Sequence, residues 1–190
     1  MNDKLLELNT KIQLCTNCEL HKIKCNIKNI NFGYGKLYGK MFGEQILFFL
    51  IGQNPSYRRF SQSEYAFGGN DNKGGFGDNF CKMLEELDIL KYCYITNIVK
   101  CSTNNNEKFS YESLKECSKY IIEEIRILNP KKIIALGNIV YDSLMLLKIG
   151  SLFNKELIKM YHPNYYFSYN IDRIKEYKQS FTQLKESIWF

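Results

Sequence analysis

Four cysteines have a spacing that can do chemistry. Cys15 and Cys18 form a C-x-x-C step directly after an amphipathic segment. Cys101 and Cys117 lie far downstream, with fifteen residues between them. A close pair plus two distant thiolates can hold a tetrahedral metal ion or an iron–sulfur cluster, and ligand type alone does not separate zinc from iron–sulfur. A second group is polar and uncharged. Gln53 and Asn54 follow the apolar run from Leu47 to Gly52, Asn97 ends a β-branched and aromatic run, and His162 stands at the end of a third segment, before Pro163. No acidic pair lies at these ends, which argues against hydrolysis by paired carboxylates. G-x-S-x-G, G-x-x-x-x-G-K and dinucleotide fingerprints are also missing from the sequence. Amides and an imidazole, with Phe67 as a flat apolar wall, match a planar heterocycle with carbonyl and imide edges. That describes a pyrimidine base, which reaches such a pocket only when flipped out of its helix.

These side chains need a frame that brings strand ends together. The run from 46 to 51, bounded by Gly52 and Pro55, reads as a strand buried on both faces. Further strands are expected at 92–99, 132–137 and 156–161, and helices at 2–14, 79–90, 110–128, 138–148 and 171–188. Ser110 is the expected N-cap of the helix that ends at Asn129-Pro130. Strands alternating with helices predict an α/β fold, a three-layer αβα arrangement around a central four-stranded, mainly parallel sheet. In such a sheet Gln53, Asn54, Asn97 and His162 share one edge, the edge where ligands bind. The segments 19–45, 58–79 and 102–108 read as polar loops.

The chain of 190 residues, with 45% hydrophobic and 24% charged residues, fits a single domain over 1–190. A net charge of +6 permits a polyanionic partner. The seven cysteines are an odd number, and the start Met1-Asn2-Asp3-Lys4 carries no signal-peptide pattern. No apolar run approaches the ~20 residues of a membrane span. A cytoplasmic protein with reduced cysteines is expected. Cys81 and Cys93 read as small core residues and Cys25 as a spare thiol.

Four segments, in order, resemble the uracil-DNA glycosylase superfamily and specifically its cluster-bearing family 4 branch. They are Cys15-Thr16-Asn17-Cys18-Glu19-Leu20, then Ile51-Gly52-Gln53-Asn54-Pro55-Ser56. The third runs from Tyr94 through Cys101 and Cys117 to Gly137, and the fourth is Tyr161-His162-Pro163. The resemblance implies that Cys15, Cys18, Cys101 and Cys117 hold a [4Fe-4S] cluster, with zinc as the alternative from ligand type. It implies that Phe67 stacks on the flipped base, with Phe76 of the same loop as a second candidate, and that Asn97 reads the imide edge. Gln53 contacts the base, His162 hydrogen-bonds a base carbonyl as charge builds on it, and Asn54 positions the attacking water. The expected activity is that of a monofunctional DNA glycosylase on uracil or a related pyrimidine. Its partner is single- or double-stranded DNA, its state monomeric, and its product an abasic site.

Family 4 members usually read Gly-Glu-Ala-Pro-Gly where this chain has Gly52-Gln53-Asn54-Pro55-Ser56. In a uracil-strict branch a Tyr follows the Pro and blocks a 5-methyl group; here Ser56 is smaller. A pyrimidine modified at the 5-position, such as one in foreign DNA, is therefore the alternative substrate. A non-catalytic DNA binder on the same fold is the other alternative. Arg58 and Arg59 are candidate phosphate contacts, and Tyr165, Tyr166 and Phe167 are candidates for insertion into the DNA stack.

Overall fold

The computed structural model describes residues 3–22, 37–56, 76–103 and 108–189. Strand β2, Phe48–Gly52, is the centre of the fold, and every one of its residues is buried. An apolar run of this kind must have both faces covered. Strands β3, Cys93–Asn97, and β4, Lys132–Leu136, flank it in parallel, and β5, Leu157–Met160, extends the sheet beside β4, also in parallel.

The sheet has five strands rather than the expected four. Strand β1, Gly39–Met41, adds antiparallel to β3, giving the order β1-β3-β2-β4-β5. It lies inside the 19–45 stretch read as loop. Three half-buried residues carry no alternation of their own, so the strand exists through its pairing with β3 rather than through local propensity. Gly39 lets the two strands approach, since a Cβ there would lie 1.9 Å from the Tyr94 hydroxyl oxygen.

Alternation along β2 feeds two cores. Phe49 and Ile51 pack under α1 (Asp3–Gln13), α3 (Tyr111–Leu128), α4 (Asn138–Leu146) and α5 (Ile149–Phe153), through Leu5, Leu114, Ile121, Ile125, Val140, Leu144 and Ile149. On the opposite face, Phe48 and Leu50 meet Phe80, Leu84, Tyr177 and Phe181 from α2 (Phe76–Glu86) and α6 (Ile174–Trp189). These are the three αβα layers. Ser110 caps α3 as expected, its Oγ accepting from the Ser113 N–H at 3.1 Å. The helix stops at Asn129, left-handed at φ 42°, just before Pro130.

Element boundaries differ where the backbone turns left-handed. Asp88, at φ 55°, closes the helix expected at 79–90, which instead spans Phe76–Glu86. The helix expected at 138–148 ends at Leu146 as α4, and past Lys148, at φ 54°, a further short helix, α5, lies beyond the expected end. A π-helical turn, Tyr165–Tyr169, and a short 3-10 turn, Ile171–Arg173, precede α6. No described helix is long and apolar enough to cross a membrane.

Candidate active site and cysteine centre

Parallel pairing places the carboxyl ends of β2, β3, β4 and β5 along one edge. The register sets Gly52 opposite Asn97, and hydrogen bonding continues past both strand ends. The Ile98 N–H donates to the Gly52 carbonyl at 2.8 Å and the Val99 N–H to the Gln53 carbonyl at 3.0 Å. Gln53 is thus fixed against the exit of β3. At the other flank, the Gly137 N–H donates to the Met160 carbonyl at 2.7 Å. Gly137 adopts φ 105°, and a Cβ on it would stand 3.5 Å from the His162 Cβ. The edge therefore gathers Gln53, Asn54, Asn97 and His162. Phe67, like Arg58 and Arg59, lies outside the described residues.

Asn97 is only 2% exposed, and its Nδ2 has no hydrogen-bond partner among the described residues. A buried donor left unpaired costs about 1–3 kcal/mol, so such groups are rare and call for a cause. Asn54 is half-buried, and its Nδ2 donates to Thr103 Oγ1 and to the Pro55 carbonyl, each at 3.3 Å. With the amide N–H group spent on protein, Oδ1 is the end left to serve as an acceptor. Thr103 is buried beneath it, and sequence reasoning placed it in an undifferentiated polar loop.

The half-buried His162 accepts the Asn164 N–H on Nδ1 at 3.2 Å, which puts the ring proton on Nε2. Burial lowers its pKa to about 4, so the imidazole is neutral near pH 7. Among the rim aromatics, Tyr166 is a core residue stacked on Tyr177 at 4.4 Å. Tyr165 and Phe167 are half-buried. The exposed rings are Tyr161, which stacks on Tyr165 at 5.0 Å, and Tyr169.

Cys101 and Cys117 lie in the core on the α3 side of the sheet with Cys18 packed against it, and Cys15 packs against the neighbouring cluster of Leu8, Ile12, Tyr38 and Tyr120. Cys15 and Cys18 follow α1 and are half-buried; Cys101 and Cys117 are buried. Burial raises the Cys117 thiol to about 11, opposed by the Lys100 N–H at 3.4 Å from Sγ, while Cys18 and Cys15 push it further up. Burial raises the Tyr120 pKa, with smaller contributions from Cys15, Cys117 and Cys101, and burial raises that of Tyr38, with smaller contributions from Cys101 and Cys15. All four thiols therefore share one electrostatic neighbourhood. The loop bearing Cys15 and Cys18 is docked on α3, which bears Cys117. Glu19 Oε1 accepts from Ser110 Oγ at 2.8 Å and Ser113 Oγ at 2.9 Å, and Asn17 Nδ2 donates to Glu116 Oε2 at 3.1 Å. No three His, Cys, Asp or Glu side chains among the described residues close to the spacing of a single metal ion. Cys81 and Cys93 sit apart, buried in the core under α2; Cys25 lies outside the described residues.

With the geometry in hand, relatives can be compared. Residues 41–185 match the family model for the uracil DNA glycosylase superfamily. The type-4 uracil-DNA glycosylase of Pyrobaculum aerophilum is 30% identical over 177 residues, covering 84% of this chain and 82% of that protein. The Thermotoga maritima type-4 enzyme is 27% identical over 176 residues, covering 86% and 83%. The crystal structure of wild-type SMUG2 from Pedobacter heparinus matches with a TM-score of 0.51 over 76% of each chain at 17% identity, a likeness of fold. The chain belongs to the uracil DNA glycosylase superfamily and aligns along most of its length with type-4 members.

Proposed function

We propose that this glycosylase hydrolyses the N-glycosidic bond of uracil, or of a pyrimidine altered at the 5-position, flipped out of DNA. The observation that carries the reading is Asn97, a buried amide donor without a partner among the described residues, at the ligand-binding edge. A uracil ring answers both ends of that amide, its O4 accepting from Nδ2 and its N3–H donating to Oδ1. Phe67 stacks on the base, and Gln53 contacts it beside the locked β2 exit. Asn54, its Nδ2 held by Thr103 and Pro55, presents Oδ1 to the attacking water. Bond breaking puts positive charge on the sugar and negative charge on the base. His162 donates Nε2–H to a base carbonyl as that charge grows, and one such fixed donor contributes about 3–4 kcal/mol. No lysine serves as a nucleophile in this scheme. Water attacks, and the product is an abasic site on an uncut strand.

In the same reading Cys15, Cys18, Cys101 and Cys117 hold a [4Fe-4S] cluster. One tetrahedral zinc would draw its sulfurs to about 3.8 Å from one another. In a cluster each sulfur takes its own iron, so the four stand farther apart. Four soft thiolate donors match the ligand type of such a cluster. The cluster ties the end of α1, the β3 exit loop and α3 together. The protein acts on DNA as a monomer.

One observation favours the 5-substituted reading. Ser56, small and exposed, follows Pro55 where a strict relative carries a bulky ring. The test is base release from single- and double-stranded oligonucleotides bearing uracil or a panel of 5-substituted pyrimidines, read by alkaline cleavage at abasic sites. Release from uracil supports the first reading, and release only from a substituted base supports the second. Binding without release from any of them overturns both in favour of a non-catalytic binder.

A further inference from the structure

Tyr161 is the residue before His162, and it is 59% exposed at the ligand-binding edge. Its ring lies nearly parallel to that of the half-buried Tyr165, with centroids 5.0 Å and planes 18° apart. Tyr166 meets both rings edge-on, at 6.0 Å and 5.0 Å. Tyr166 in turn stacks on the buried Tyr177, which meets Phe181 edge-on in the core. The backbone is tied to the same ladder. The Tyr177 hydroxyl donates to the Tyr161 carbonyl at 2.9 Å, and the Tyr165 N–H donates to the His162 carbonyl at 2.9 Å. A row of aromatic rings thus runs from the core to the surface and ends on a flat ring beside His162.

Packing accounts for Tyr166 and Tyr177 and leaves Tyr161 mostly in solvent. Charge does not account for it either, since Arg173, the cation that acts on Tyr165 and Tyr166, is held by Glu176 at 2.6 Å. What the ring offers is a π face, and every nucleobase has a matching one. It offers one face only, because Tyr165 covers the other. A side chain that wedges into a duplex enters between base steps, which are about 3.4 Å apart along a strand. The Tyr161–Tyr165 pair is thicker than that, so it suits an end-on stack with a single unpaired base.

We propose, resting on the DNA glycosylase reading above, that Tyr161 backed by Tyr165 is a stacking platform for a base next to the flipped nucleotide in single-stranded DNA. A nucleotide held at His162 brings its chain neighbour past the adjoining residue, which is Tyr161. In a duplex that neighbour keeps its own pair and stack. The cost of leaving them is smallest for a base that is already single-stranded. The ring is held in place before DNA arrives, so little side-chain freedom is lost on contact.

The experiment is fluorescence titration of the full chain with labelled single-stranded and duplex oligonucleotides over a range of salt concentrations. Each carries a stable abasic-site analogue, which has no base to release. Tyr161→Ala is expected to weaken single-strand binding about tenfold while duplex binding stays within about threefold. Tyr161→Phe keeps the ring and is expected to bind both forms like the parent. The slope of affinity against salt should stay that of the parent, since stacking releases no counterions. Unchanged single-strand affinity, equal losses on both forms, or a salt slope reduced by about one, the mark of a phosphate contact, each overturn the platform. Should Tyr161→Ala fail to fold, Tyr161→Leu decides alone, since it keeps apolar bulk against Tyr165 and removes the flat face; the same single-strand loss is expected, and parent-like affinity refutes. Base release is read separately on the uracil and 5-substituted panel. A parent that releases no base overturns the glycosylase reading, whereas an active parent whose Tyr161 variants bind single strands unchanged overturns only the platform.

Discussion

Replacing Asn97 by leucine sets stability against activity in a way few substitutions can. The Asn97 Nδ2 is buried without a partner among the described residues, which sets a penalty of about 1–3 kcal/mol on the DNA-free protein. Leucine has nearly the same shape and no donor to leave unpaired. Fitting a branched leucine into an amide-shaped site offsets part of the gain, leaving a net stabilisation of about 1 kcal/mol. For a domain of this size that raises the melting temperature by about 2–4 °C. Catalysis moves the other way. Two hydrogen bonds to the base, each worth about 1–3 kcal/mol in a buried site, disappear. Single-turnover base release should therefore fall roughly 10²–10⁴-fold. The assays are thermal melting of the DNA-free protein and alkaline-cleavage time courses at saturating enzyme. A variant that melts lower than the parent yet releases base at an unchanged rate would make Asn97 a structural amide and refute the argument.

Asn54→Ala should cut turnover at least a hundredfold while oligonucleotide affinity stays within threefold; equal losses in both would show that the residue binds rather than orients water. Thr103→Val frees the Asn54 amide to rotate, so base release should fall about tenfold at unchanged affinity, and an unaltered rate would remove Thr103 from the site. The pH profile follows from His162. Its folded pKa of about 4 lies below the usual value of 6.5, so the neutral form persists as pH falls. The rate should stay flat from pH 8 to about 5. The stability contributed by this group, complete above about 6.5, should be lost as pH falls through 4. An acid limb of the rate at 6.5 would contradict the buried, neutral imidazole. Gly137→Ala should destabilise by about 1–3 kcal/mol through its positive φ, while the added methyl meets His162 Cβ at ordinary contact distance and leaves the rate of the folded enzyme unchanged; a melting temperature equal to the parent's would contradict the strain.

The parts of the fold legible in sequence are those whose signal is local. The β2, β3 and β4 runs announce buried strands because each carries a stretch of apolar, aromatic or β-branched residues, and Ser110 announces its helix through a cap. Strand β1 was illegible because its three residues owe their conformation to Tyr94 and its neighbours on β3. The site divides in the same way. Gln53, Asn54, Asn97 and His162 stand at strand ends, where parallel topology alone brings them to one edge. The unpaired state of the Asn97 amide and the partnership of Thr103 with Asn54 arise only from tertiary packing. Glu124 shows the limit most clearly. A glutamate on an amphipathic helix reads as solvated surface, yet here it lies against a buried lysine recruited from another element.

The six residues from Ile98 to Thr103 tie the molecule's separate tasks to a single short length of chain. Immediately before them stands Asn97; within them are Lys100 and Cys101; at their end is Thr103 beneath Asn54. An insertion or deletion anywhere in this span would shift the base reader, a sulfur ligand and the water-holding amide at once. Variation that survives must then accumulate elsewhere. The chain after β2 carries no such triple duty, which makes Ser56, exposed and beyond the water-holding Asn54, the place where a laboratory library could widen or narrow the substrate range without dismantling the cysteine centre.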